Sequence, residues 1–235
     1  MCSIVLRIGA DGVFIGANRD EMLSRAALPP AAYWPGVVGG RDVSAGGTWL
    51  AMNADGVVAA VLNRTGTLGP QAGKRSRGEL PVRALPHASA AAAGAMLADL
   101  DTGQYRSFNL VIADATGAFL IRGLEGGAPG ITPLPAGTVM ITSGEPNDVA
   151  MPRIKRHLPK FADAPFRAWP SLLADSEGPW EAALNLPARN GFGTVSASLI
   201  ALPRNAAPSW TFCAGRPAPE KFLPVSMEFE NAAGA

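Results

Sequence analysis

Cysteine is nearly missing from this chain of 235 residues: Cys2 and Cys213 are its only two, far apart and in no CxxC spacing. That excludes a disulfide framework and a zinc knuckle, and it fits a reducing compartment. Histidine is as scarce, with His87 and His157 alone, and no spacing singles out either as partner to a thiol. Charge of one sign is lacking too. The formal net charge is +1, without the basic excess that nucleic-acid binders carry on one face. No uncharged apolar run approaches the length of a membrane span, and the first residues lack the basic and apolar regions of a secretion signal. The expectation is a cytoplasmic protein that keeps its N-terminus, with no membrane span and no nucleic-acid partner.

What is present is enough for a full core. A chain of this size buries roughly 70 to 75% of its unfolded surface, and 27 glycines with 21 prolines fall short of the share that signals disorder. SIVLRI (3–8), the turn GADG and VFIGAN read as a β-hairpin. TWLAM, NADG and VVAAVLN repeat the device, with Asp55-Gly56 supplying the positive φ that tight turns need. TGTLGPQAGKRSRG (65–78) is a loop made basic by Lys74, Arg75 and Arg77. Ser76 and Glu79 match a capping box, although Pro81 favours a helix that starts at Pro81 itself. SAAAAGAMLADL (89–100) reads as a helix capped by Ser89, and PRIKRHLPKF as a short one. FNLVIAD, AFLIRG, TVMITS, GTVSASLIAL and PSWTFCAG return to strand character, so the class is α+β and residues 1–235 are read as a single domain.

The chemistry concentrates at Cys2. Met1 precedes a small side chain, so the mature chain is expected to begin with a free α-amine on Cys2. An amine of pKa about 7.7 to 8.0 can take a proton from a thiol of about 8.5, so one residue would supply nucleophile and base. The strand after GADG ends in Asn18-Arg19-Asp20-Glu21. With Asp11-Gly12 as a two-residue loop, Cys2 opposes Glu21 and shares a face with Arg19; with a three-residue loop it opposes Asp20, on the face of Asn18. Either way a carboxylate reaches the amino terminus, where it favours the ammonium, and a guanidinium favours the thiolate.

GANRDE (16–21), GRDVSAGGTWLAMNADGVVAAVLN (40–63), SRGEL (76–80), YRSFNLVIAD (105–114), TSGEPND (142–148) and GTVSASLIAL (193–202), taken in order behind Met-Cys, resemble the NRDE family, the transport and Golgi organisation proteins. The resemblance implies an N-terminal-nucleophile hydrolase-like fold, a four-layer αββα sandwich of two antiparallel sheets. More distantly the chain is similar to the bile-salt hydrolase and penicillin V acylase group. That pattern implies Cys2 as nucleophile, Asp20 as holder of its amine and Asn63 as oxyanion donor. Two later positions depart from it: Gly144 and Leu199 stand where those amidases carry asparagine and arginine.

Three functions compete. In the first, Cys2 attacks a small amide or thioester, Asp20 and Asn18 orient the amine, and Arg19 and Glu21 stand beside the substrate. Thr48 lines the site because the preceding glycines allow close backbone approach. No cofactor is required for such hydrolysis. In the second, which the family resemblance implies, the same site binds haem, acyl-coenzyme A or another small amphiphile without turnover, with Arg19, Arg25 or the Lys74 to Arg77 loop pairing its anionic group. In the third, only the scaffold is kept. Fold alone does not choose among them.

Overall fold

A computed structural model describes residues 2–229. In chain order the strands and helices are β1 (Ser3–Gly9), β2 (Gly12–Met22), β3 (Ala27–Trp34), β4 (Val37–Asp42), β5 (Leu50–Asn53), β6 (Val58–Asn63), α1 (Glu79–Ala84), α2 (Ala90–Met96), β7 (Phe108–Asp114), β8 (Gly117–Gly123), β9 (Gly130–Pro133), β10 (Gly137–Ile141), α3 (Pro152–Asp163), α4 (Trp169–Leu173), β11 (Phe192–Pro203), β12 (Ser209–Ala214) and β13 (Leu223–Pro224). They form two antiparallel sheets, β10-β1-β2-β11-β12-β13 and β3-β4-β5-β6-β7-β8-β9. The chain divides accordingly into two compact units, Met1–Arg25 with Pro135–Val225, and Ala26–Leu134 with Ser226–Ala235.

In the first unit the β1–β2 hairpin pairs Gly9 with Gly12 and Ser3 with Asn18. Neither register expected from GADG is therefore adopted. The turn residues are Ala10 and Asp11, and neither has positive φ; the left-handed residue is Gly12, already in β2 at φ +135°. A Cβ there would lie 2.2 Å from Leu202 O on neighbouring β11, so close strand approach, not the turn alone, requires glycine at that position. Helices α3 and α4 pack on one face of this sheet. Val5, Ile154, Phe161, Trp169, Leu173 and Ala197 form the core between them, and buried Cys213 joins it as a small apolar side chain.

In the second unit Phe108, Leu110 and Ile112 of β7 pack in one core with Leu80 of α1, Ala93 of α2 and Leu97 just after it. Ser89 caps α2 as expected, its hydroxyl accepting from Ala92 N at 3.2 Å. Helix α1, in contrast, starts at Glu79 and not at Pro81. Pro81 sits in the first turn, where a backbone N–H has no partner to lose, and the capping box is not formed: Ser76 Oγ accepts from Gly78 N, while Glu79 pairs with Arg75 at 2.8 Å. The basic loop folds inward on its own cations. Lys74 donates to Gly103 O, and Arg77 to Thr67 Oγ1, Gly69 O and Ser107 O.

Strands β3 and β9 carry no clear strand signal, since Pro29 and Pro30 interrupt the first and Pro133 ends the second. Both lie at sheet edges, where a missing N–H is tolerated. Asn53 closes β5 with four hydrogen bonds: Oδ1 accepts from Asp55 N and Val57 N, and Nδ2 donates to Leu85 O and His87 O. Since the group is buried, Asn53→Ala is expected to cost about 2–3 kcal/mol by leaving backbone groups unsatisfied, measured as the change in urea unfolding free energy.

Candidate active site

The end of β2 sorts its four polar residues by strand alternation. Asn18 and Asp20 face the side covered by α3 and α4, and Arg19 and Glu21 the other. Asn18 is buried and spends both amide N–H bonds on backbone, to Leu173 O at 2.9 Å and Leu184 O at 3.1 Å. It thereby ties α4 and the segment before β11 to the strand, while its Oδ1 has no partner among the described residues.

Asp20 is the centre of a buried polar network. Arg153, in the first turn of α3, donates from one nitrogen to Asp20 Oδ2 and to Ser3 Oγ, both at 2.8 Å. The hydroxyl of Thr194 donates to Asp20 Oδ1 at 2.6 Å and accepts from Leu186 N at 2.7 Å. The ion pair is almost wholly shielded, its side chains 0% and 5% exposed. Thr194 faces Asp20 because β11 bulges at Val195, between the pairs Thr194–Asp20 and Ser196–Arg19. Ser3, Arg153 and Thr194 were not among the residues expected from sequence. Arg153 and Thr194 lie 133 and 174 positions from Asp20, and no local pattern links them.

Cys2 leads into β1. Continuing the hairpin register places it across from Arg19, so its side chain and the Asp20 carboxylate belong to opposite faces of the strand pair. The thiol is half-buried, with Sγ 3.6 Å from the backbone oxygen of Asp20. Burial and then the Asp20 charge push the thiol above its ordinary pKa, against the opposing pull of a backbone hydrogen bond from Asp20 and the Arg19 charge. A thiol so placed is protonated near neutrality and needs a base. The expected removal of Met1 concerns a residue outside the described ones.

The other expected residues fall as follows. Arg19 is buried and lies 4.0 Å from Glu21, which also faces Arg25 at 3.8 Å. Leu199, at the position of the amidase arginine, belongs to the first unit's apolar core. Asn63, at the end of β6, and Thr48, just before β5, belong to the second unit. The Thr48 hydroxyl is turned to Leu50 O at 2.9 Å. The close approach expected of its glycines is made to Gly78: a Cβ on Gly47 would lie 2.4 Å from that carbonyl, and Thr48 N donates to Gly78 O at 2.8 Å. His157, which no spacing singled out, is buried, with Nε2 donating to Ala182 O at 2.8 Å. Among the described residues, no group of three or more His, Cys, Asp or Glu side chains could hold a metal, and no helix is long and apolar enough to cross a membrane.

The family model described as Transport and Golgi organisation 2 matches residues 1–167. No curated protein matches the chain in sequence. Among solved structures, an N-acylethanolamine-hydrolyzing acid amidase ortholog from Caenorhabditis elegans superposes with a TM-score of 0.59 at 14% identity, over 85% of this chain and 92% of that one. Penicillin V acylase from Agrobacterium tumefaciens gives 0.54 at 15%, over 91% and 83%. A cysteine-to-alanine variant of the conjugated bile acid hydrolase from Clostridium perfringens gives 0.56 at 13%, over 100% and 94%. At these identities the likeness shows the fold, that of the N-terminal-nucleophile hydrolases built on two antiparallel sheets.

Proposed function

We propose, for a chain that belongs to the Transport and Golgi organisation 2 family, that Cys2 is the nucleophile of an N-terminal-cysteine hydrolase acting on a small amide or thioester. The observation that carries this reading is the thiol lying against the end of β2, 3.6 Å from Asp20 O, where the Asp20 side chain is immobilised by Arg153 and Thr194. After loss of Met1, the Cys2 amine takes the thiol proton and Sγ attacks the carbonyl carbon. The leaving amine or thiol departs with that proton, and water hydrolyses the resulting acyl-thioester. Asp20 orients the ammonium through the charge it holds at the strand end, with Asn18 Oδ1 as a further acceptor. Asn63 keeps the role of oxyanion donor on the strength of the sequence pattern alone. The names of the similar structures, an acid amidase, an acylase and a bile acid hydrolase, support amide hydrolysis as the class to test first. Binding of haem or acyl-coenzyme A without turnover is the competing proposal.

The test uses purified protein whose loss of Met1 is verified by intact mass, assayed on acyl-amides and acyl-thioesters. Wild type is expected to release product, Cys2→Ser to be slow and Cys2→Ala to be inactive. Wild-type release no faster than that of Cys2→Ala overturns the proposal. Saturable haem or acyl-coenzyme A binding that survives Cys2→Ala, with no product from wild type, replaces it by carriage.

A further inference from the structure

Arg153 stands at an unfavourable place for an ordinary helix cation. It occupies the second position of α3, whose first turn carries no acidic residue, so its charge opposes the positive end of the helix dipole. It is also buried. Neither helix propensity nor solvation explains an arginine there; its contacts to Ser3 Oγ and Asp20 Oδ2, both at 2.8 Å, do. Ser3 follows Cys2 directly on β1, and Asp20 lies on β2, so one guanidinium joins the two strand ends that meet at the thiol. The far end of α3 is fixed to the same strand pair. Arg7 of β1 donates to Phe161 O and, at 2.7 Å, to Ala164 O, and its guanidinium lies 5.3 Å over the Trp169 ring. Held at both ends, α3 cannot swing Arg153 away from Asp20.

We propose that Arg153 is a positioning residue of the Cys2 site, setting through Asp20 how much negative charge reaches the sulfur. This rests on the reading of Cys2 as the reactive thiol and adds a control that no part of the NRDE stretch contains. The charges that act on the Cys2 sulfur are Arg19 of β2, on its own face, Asp20 of β2, through the strand from the other face, and, once Met1 is gone, its own amine; Asp20 disfavours the thiolate and Arg19 favours it. Arg153 offsets the Asp20 charge from α3, and Thr194 disperses it from β11 through a hydrogen bond. Without the guanidinium, the full carboxylate charge acts on the sulfur.

The experiment reads the pH midpoint of Cys2 alkylation by iodoacetamide, followed by peptide mapping on Met1-processed protein, with buried Cys213 as internal reference. Arg153→Met, of similar length and no charge, is expected to raise the midpoint by about one unit, and Arg153→Lys to leave it near wild type. The paired change Arg153→Met with Asp20→Asn removes both charges and is expected to bring the midpoint below wild type. It also keeps the test decisive if the single variant does not fold, because no unpaired charge is then buried. A purely structural role lowers thermal stability but leaves the midpoint unmoved. A wild-type midpoint in folded Arg153→Met, or in the paired variant, overturns the inference. Alkylation needs no substrate, so predicted midpoints in a protein that hydrolyses nothing sink the hydrolase reading alone.

Discussion

Acidification from near neutrality to about pH 4 is expected to remove about 3 kcal/mol of folding stability through His157 alone. The imidazole is inside the first unit, and with Nε2 donating to Ala182 O its other nitrogen carries no proton. Burial lowers its pKa from 6.5 to about 4; the Ala182 contact and the Asp175 carboxylate, 3.9 Å from Nδ1, pull the other way, and Lys160 and Arg156 add to the fall. The folded value lies below the unfolded one. The stabilisation is thus complete above pH 6.5 and lost as pH falls towards about 4, where the unfolded chain binds a proton that the folded one does not. Carboxylates held below their ordinary values act in a lower window. At Asp114, burial opposes the shift but the bonds from Thr116, Ala90 and Gly117 win, so its contribution persists above the unfolded carboxylate value of about 3.9 and fades only beneath it. Urea unfolding near pH 7 and about pH 4.5 reads the histidine slope, and His157→Gln, which can still donate to Ala182 O, should flatten it. An unchanged slope in that variant would assign the acid sensitivity elsewhere.

Replacing Trp169 by alanine is expected to cost about 3–5 kcal/mol, a large part of the roughly 5–15 kcal/mol that holds a domain folded. The indole is 0% exposed, meets Phe161 and Phe166 edge-on at ring-centroid distances of 5.0 and 5.1 Å, and lies under Arg7. Its Nε1 has no partner among the described residues, so the loss is one of packing and cation–π contact and not of a hydrogen bond. Gly16 makes the room: a Cβ there would lie 3.0 Å from the indole. Because Gly16 lies two residues before Asn18 on the same face, the cavity opens under the strand that carries Asp20. Trp169→Phe should recover part of the loss. A melting temperature unchanged in Trp169→Ala would refute this account of the core.

Features carried by neighbours in the chain are legible in the sequence. The two hairpins, the Ser89 cap and the opposition of Arg19 to Asp20 all follow from alternation or turn chemistry within a few residues. Reading failed where the decisive contact came from elsewhere. Gly12 looked like half of a turn, yet it takes a place in the strand against β11, and the two-residue loop moves back by one residue to Ala10-Asp11. Pro29 and Pro30 hid β3 because only its edge position makes them tolerable. The glycines before Thr48 did mark a close approach, but to Gly78.

The amino-acid order by itself determined that a thiol directly precedes the first strand and that an aspartate lies near the end of the second, with an arginine directed to the opposite face. It determined the family as well, through the ordered segments that the family model matches over residues 1–167. Only the tertiary structure decided what stabilises that aspartate, for Arg153 and Thr194 reach it from α3 and from beyond a bulge in β11. The physical reason is range: backbone periodicity repeats every two to four residues and is written locally, whereas a buried charge is compensated by whichever side chain the packed core brings within hydrogen-bonding distance.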